Sequence, residues 1–300
     1  MKKHLILLFA LSILFGCEDV VDSGVVEIDQ TIHIAGFISP ENDTLSVNIS
    51  RALPALGLEL SFDDPRPDME RFIVRDAEVT IENSTGSNIR LPFLEDELLY
   101  AESAETFEVL PGETYTLKVS ANGQNYSATC IVPLHNIDGI SEQIREDTNE
   151  FGFNEFDLDM SFMDIEGEDN FYFVGAFLEV TADDESISNT IRNIFFDLEA
   201  FQTDNLRDGL EIGASTYFFP ALSFDENNEV LFLEQDLVLQ VITAEQSLFQ
   251  LLRAGYLNET NDGNPFIELG VEPNTINGNG ATGVFAGYRY FEKRVVITEE

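Results

Sequence analysis

Cys17 is the residue whose chemistry the sequence indicates most directly. It ends a leader that begins with two lysines, continues through the apolar residues 5–15 and places the small residue Gly16 directly before the cysteine. A charged start, a short apolar run and a small residue are typical of a bacterial leader that is cleaved during secretion. We therefore predict a lipoprotein signal peptide over residues 1–16 and lipidation of Cys17 with acyl chains such as palmitate.

The leader has two other interpretations. A transmembrane anchor is excluded by length, because about 11 apolar residues cannot cross a hydrocarbon core that needs roughly 20 helical residues. An ordinary secretory signal with an unmodified cysteine stays open, because Phe15 is bulky for the position two places before a lipidated cysteine. Acyl chains each contribute about 0.8 kcal/mol per buried methylene, so several of them hold a protein firmly on a bilayer.

Carboxylates at close spacing are the second set of residues that could do chemistry. The segment 164–169 surrounds Gly167 with four acids, and oxygen ligands of this kind suit Ca²⁺, although the EF-hand spacing is absent. The candidate calcium ligands are Asp164, Glu166, Glu168 and Asp169.

A second row of acids, Glu155, Asp157 and Asp159, would lie on one face of a strand with about 6–7 Å between neighbouring residues. A solvated polar face is the favoured interpretation of that row, and no other cofactor is predicted.

Residues that could support catalysis are few. After the leader, the histidines are His33 and His135, and neither stands in a zinc-ligand or nucleophile pattern. Cys130 lies in an apolar stretch that predicts a buried, inert thiol. Residues 278–283 match the glycine spacing of a dinucleotide-binding loop, but a strand follows them and too few residues remain for a βαβ unit. We predict that the protein is not an enzyme and that these glycines allow close backbone approach.

Composition limits the class of partner. The chain of 300 residues has a formal net charge of −41, which repels phosphate, so no nucleic-acid partner is expected. Its 44% hydrophobic residues and 25 phenylalanines are nevertheless enough for buried cores. The acidic surface favours a cationic ligand or a basic partner.

Alternating apolar and polar residues predict a mainly β protein. Between residues 27 and 133, short strands with turn signals between them indicate an N-terminal immunoglobulin-like β-sandwich. Its clearest inward-facing residues are Leu45, Val47, Ile49, Val79, Ile81, Tyr115, Leu117 and Val119. Residues 17–26 are predicted to form a lipidated tether, and residues 53–69 a long loop within the sandwich.

A second β-rich domain with one short helix is predicted over residues 134–300. Residues 134–154 show no clean period and form the expected boundary. Strands are predicted at 156–162, 171–180, 191–198, 215–219, 230–233, 237–242 and 288–297. The helix is expected to begin with a capping box, with Thr243 at the N-cap and Gln246 three residues later. Its apolar face would contain Ala244, Leu248, Leu251, Leu252 and Gly255.

These landmarks together resemble the Bacteroidota lipoprotein family known as the domain of unknown function 4249 family. The matching pieces are Cys17 with the acids after it and the segments 32–38, 45–50, 76–81, 111–117, 126–133, 164–173, 264–266 and 277–288. Phe171 departs from the family, which usually has tyrosine there. The resemblance implies an outer-membrane lipoprotein, often facing outward, that works beside a TonB-dependent receptor in nutrient uptake. It implies no functional residues, and the ligand stays unknown.

Two function hypotheses follow from the sequence. The first is a non-enzymatic, surface-exposed outer-membrane lipoprotein that is an accessory or binding partner of a TonB-dependent nutrient transporter. The alternative is a structural or adhesive cell-surface protein, either dependent on calcium or independent of it.

Overall fold

The computed structural model describes residues 31–52, 70–148, 154–180, 190–205, 207–224, 230–232, 235–260 and 270–297. The predicted signal peptide 1–16, Cys17, the tether 17–26 and the loop 53–69 lie outside the described residues. No helix among the described residues is long and apolar enough to cross a membrane. The fold is mainly β, as the alternation predicts.

The N-terminal half forms a sandwich around one apolar core. One layer contains β1 (Ile32–Ile38), β2 (Thr44–Arg51), β5 (Phe93–Leu94) and β6 (Leu99–Ser103), and the other contains β3 (Glu78–Asn83), β4 (Asn88–Leu91), β7 (Thr114–Ala121) and β8 (Gln124–Ile131). All eight residues predicted to face inward are buried in this core. Successive side chains of a strand point to opposite faces, so the observed alternation of burial follows directly from the sequence.

The C-terminal half forms a second sandwich. A three-stranded sheet contains β9 (Ser141–Thr148), β10 (Asn154–Met163) and β14 (Glu211–Phe218). It packs on β11 (Phe171–Val180), β12 (Thr190–Ile194), β13 (Phe201–Thr203), β17 (Gln235–Ala244) and β18 (Ala281–Ile297). A separate pair is formed by β15 (Leu222–Phe224) and β16 (Val230–Phe232). The buried residues of this core come from both layers.

The long strand β18 belongs to both sandwiches. Residues 281–287 pair with β1 in parallel, whereas residues 288–297 pair with β17 in the antiparallel sense. These pairings join both halves in one nine-stranded sheet. The predicted close approach of glycine is confirmed at Gly283, where a Cβ atom would lie 2.0 Å from the carbonyl oxygen of Ile34.

Three details of the sequence-based assignment were wrong. The region 134–154, which showed no clean period, contains β9 and starts β10. The strand expected at 191–198 ends at Ile194 and is followed by a 3₁₀ helix, Asp197–Ala200. Thr243 is not an N-cap, because it belongs to β17 and pairs with Arg289.

The described helix α1 (Gln246–Thr260) is instead started by Glu245. The carbonyl oxygen of Glu245 accepts hydrogen bonds from the N–H groups of Leu248 and Phe249. Leu248, Phe249 and Ala254 are the buried residues of the helix, and Leu251 and Leu252 are partly buried beside them. Gly255 is exposed, so it is not part of the packed face.

Candidate functional site

The turn between β10 and β11 is organised by a buried tyrosine. The Tyr172 side chain is fully buried, and its hydroxyl donates a hydrogen bond to Oδ1 of Asp164 at 2.7 Å while accepting one from the N–H of Ile165 at 3.1 Å. The other oxygen of Asp164 accepts from the N–H of Gly209 at 2.8 Å. Burial, reinforced by the hydrogen bond to Asp164, raises the pKa of Tyr172 above its usual range. This tyrosine therefore acts as a neutral hydrogen-bonding anchor.

Three carboxylates meet beside this anchor. Asp164, Asp204 and Asp208 each offer an oxygen, and these oxygens lie within 4.8 Å of one another. The cleft there has a volume of about 440 Å³. Carboxylate oxygens at this spacing could hold a hard cation such as Ca²⁺. Asp208 also accepts a hydrogen bond from the N–H of Gly167 at 2.7 Å, so the cluster holds two loops together and is not by itself evidence of a metal.

The four predicted calcium ligands lie in different surroundings in the structure. Asp164 is in the three-carboxylate cluster and is almost buried, whereas Glu166, Glu168 and Asp169 are not members of that cluster. Oε1 of Glu168 lies 2.5 Å from Nδ1 of His135, and the Glu166 side chain packs close to Gly209. Glu168 and Asp169 line the cleft beside Asp204 and Asp208, so three of the four predicted ligands border the cleft or its cluster. Calcium binding by these residues stays a prediction.

Sequence reasoning missed Asp204 and Asp208. They approach Asp164 through the segment between β13 and β14, about 40 residues further along the chain. The signal that could have indicated them is the dipeptide Asp208-Gly209, which is typical of a turn. Gly209 has a φ of 69°, as that turn requires.

The acidic residues Asp157 and Asp159 on β10 form ion pairs with an arginine. Arg145 on β9 lies across from them, with Nη1 2.7 Å from Oδ2 of Asp159 and Nη2 3.8 Å from Oδ2 of Asp157. Hydrogen bonds from Ser215 and Arg145 lower the pKa of Asp159. The arrangement agrees with the interpretation of this row as a solvated polar face.

The half-buried carboxylate of Glu245 lies near the buried thiol of Cys130, which belongs to the first core. Oε2 of Glu245 accepts from the N–H of Gly287 at 3.1 Å, and the carboxylate also bonds the N–H of Ile131. Burial raises the pKa of Glu245, and burial followed by the field of Glu245 raises the pKa of Cys130 well above its usual range. A thiol with a raised pKa is a poor nucleophile, which agrees with the prediction of an inert cysteine.

Comparisons with other proteins give a family and no activity. No curated protein matches the sequence. Among solved structures, the chain is similar to the BSP domain of a biofilm-associated protein, with 7% sequence identity and a TM-score of 0.21. That similarity covers 88% of this chain and spans 58% of the other, and its score is too low to support an inference. The sequence pattern of the domain of unknown function DUF4249 matches residues 18–294, and the chain therefore belongs to the DUF4249 family.

Proposed function

We propose that the protein is a lipid-anchored outer-membrane protein that faces the cell surface and is a non-enzymatic binding partner of a TonB-dependent nutrient transporter. The observation that carries the proposal is the sequence pattern ending at Cys17, because it is typical of an export signal followed by a site for lipid attachment. Restricting a protein to the membrane plane raises its effective concentration beside a membrane partner, so that even a weak contact can be productive.

Two features of the described residues support a binding role. The buried Asp164, the half-buried Glu245 and the buried thiol of Cys130 are all engaged in the packing or hydrogen bonding that holds the fold. The large negative charge of the chain would favour a transporter rim with basic loops and would raise the rate of encounter with it.

The anchor is tested first. Cells expressing the protein are labelled with an alkyne analogue of palmitate, and their membranes are separated. The native chain should take up the label and sediment with the outer membrane, whereas Cys17→Ser should do neither. Label in the Cys17→Ser variant, or an unlabelled native chain in the soluble fraction, would overturn the lipidation.

The partner is tested by chemical cross-linking of intact cells and recovery of the native chain. A TonB-dependent transporter should be recovered repeatedly with the native protein and should be reduced with Cys17→Ser, which has lost its membrane restriction. Repeated recovery without any such transporter would count decisively against the proposal. Externally added protease should also cleave the native protein on whole cells if it faces outward.

A structural or adhesive role at the cell surface is the second candidate function. A calcium-dependent form of it would use Asp164, Asp204 and Asp208, whose oxygens are brought together as described above. Calorimetry with Ca²⁺ and adhesion assays on a deletion strain separate the two functions. Calcium binding that is lost in Asp204→Asn, together with lost adhesion and normal growth on all nutrients, would favour the second one.

A further inference from the structure

An aromatic cleft lies where the edges of the two C-terminal sheets meet. Strand β12 ends the nine-stranded sheet and β14 ends the three-stranded sheet. Phe195, Tyr217 and Phe219 all line the cleft, with exposed fractions of 73%, 60% and 41%. The rings of Tyr217 and Phe219 meet edge to face with centroids 5.9 Å apart. The hydroxyl of Thr216 donates a hydrogen bond to the carbonyl oxygen of Phe195 at 2.6 Å, which holds the two edges together.

Exposed apolar side chains are concentrated at this place. Among the described residues, 12 large hydrophobic side chains are exposed, and three of them, Phe195, Tyr217 and Phe219, line this one cleft. Scattered single exposures are ordinary, but a contiguous patch of this kind marks an interaction site. The cleft volume of about 260 Å³ is below the roughly 300–1,000 Å³ of small-molecule sites. It therefore suits one or two side chains of a partner better than a larger free ligand.

The charges around the cleft determine which kind of partner side chain can bind there. Asp197 lines it together with Arg192, and Glu199 and Asp157 lie beside it. Residues 190–219 contain five acids and two arginines, within a chain whose net charge is −41. Arg192 balances the charge of Asp197 in the lining itself. The preference for cations therefore comes from the ring faces and from the acids around the cleft, which both attract cations and repel anions.

We infer that this aromatic cleft binds a lysine or arginine side chain in an extended basic segment of a partner protein. The inference deepens and rests on the proposed function, because it names the surface through which a membrane partner would be met. The rings of Phe195, Tyr217 and Phe219 receive the cationic group, and Asp197 supplies the counter-charge. The segment lies across the cleft where the two sheet edges meet, so its cationic side chain can enter between the rings.

The test uses the absence of tryptophan from the chain. A blocked peptide Arg-Trp-Arg-Trp-Arg is titrated with the full mature chain carrying Cys17→Ser, and the peptide fluorescence is followed selectively. Matched peptides in which serine or glutamate replaces arginine complete the set. The double variant Phe195→Ala/Tyr217→Ala should bind the basic peptide about tenfold more weakly. Asp197→Asn should bind it a few-fold more weakly.

Val296→Ala is the matched control, because Val296 is an exposed apolar residue outside the cleft. This variant has the same net charge as the native chain, so both should bind the basic peptide with equal affinity. Circular dichroism confirms that the exposed substitutions leave the fold intact. Equal affinity of the double variant and the native chain would overturn the inference. A serine peptide that binds as tightly as the arginine peptide would also overturn it, because the site would then be apolar and not cation-selective.

A cross-linking arm separates failure of this inference from failure of the proposed function. If the native chain recovers a transporter and the double variant recovers it equally, the cleft is not the contact surface, although the proposed function stands. If the native chain recovers no transporter while the peptide results are as expected, the proposed function fails and the cation-binding cleft stands. If Val296→Ala recovers the transporter and the double variant does not, the result supports both the proposed function and the cation-binding cleft.

Discussion

The Tyr172 hydroxyl connects the turn after β10 to the strand that follows it, and its removal is a clean test of that anchor. In Tyr172→Phe, one oxygen of Asp164 and the N–H of Ile165 both lose a partner in a buried place. We expect a loss of about 1–3 kcal/mol in the free energy of unfolding, measured with urea. Tyr217→Phe is the control, because Tyr217 is exposed, and its effect should stay within about 0.5 kcal/mol. Equal stability of Tyr172→Phe and the native chain would contradict the anchor.

Glu245 should make stability depend on pH in a defined direction. Burial raises its pKa in the folded state, so the folded chain holds the proton more tightly than the unfolded chain does. The stability from this residue is therefore fully present below the ordinary glutamate pKa and is lost as pH rises through the raised folded-state pKa.

Glu245→Gln has no titrating group at this position, so the difference in unfolding free energy between the native chain and this variant isolates the effect. We expect the native chain to lose stability relative to Glu245→Gln as pH rises from the ordinary glutamate pKa upward. Asp96→Asn, which alters an exposed carboxylate, serves as the comparison. A difference that stays constant, or that grows in favour of the native chain with rising pH, would show that burial does not control this carboxylate.

At the scale of elements, Gly283 is where β18 and β1 approach most closely. Its φ of 128° is unfavourable for other residues, and a Cβ atom would collide with the backbone of Ile34. Gly283→Ala should lose about 3 kcal/mol or more, or fail to fold. Gly255 in α1 has free space around it, so Gly255→Ala should instead gain about 0.5–1 kcal/mol. Thermal unfolding of both variants checks the opposite signs, and two effects of the same sign would refute this account.

The local alternation of apolar and polar residues predicted where the strands lie better than it predicted which strands pair with each other. The alternation around Leu117 and around Leu158 fixed which side chains are buried, because a period of two has one physical cause. Strand β9 was missed because its residues 141–148 are mostly polar and exposed, so no apolar alternation marks it. The parallel pairing of β18 with β1 joins residues about 250 apart, and no local signal contains that information.

The candidate sites show the same limit. Asp164 could be selected from its acidic neighbours, but its companions Asp204 and Asp208 come from another loop. The aromatic cleft combines Phe195, which directly follows β12, with Tyr217 of β14, and in sequence each is one more aromatic residue in a predicted strand. Sites built where two sheet edges meet depend on the tertiary fold, whereas the leader predicted before Cys17 is a contiguous pattern that the sequence alone can indicate.

At the scale of the whole molecule, the two sandwiches should unfold as one unit. Strand β18 gives Phe285 to the first core and Ile297 to the second, so neither core is complete without the same strand. Arg289 adds to the connection, because its guanidinium pairs with Glu41 at 2.7 Å and donates to the carbonyl oxygen of Leu134 at 3.2 Å. Loss of either core therefore removes the pairing that supports the other.

We expect one calorimetric transition, with a calorimetric enthalpy equal to the van't Hoff enthalpy. Leu117→Ala in the first core and Leu239→Ala in the second should each cost about 2–5 kcal/mol and should both move that one transition to lower temperature. The exposed Val296→Ala should leave it in place. Two transitions, each moved by only one of the core substitutions, would mean that the sandwiches are independent. In that case β18 would be a linker between two domains, and a contact at the aromatic cleft would not change the stability of the N-terminal sandwich.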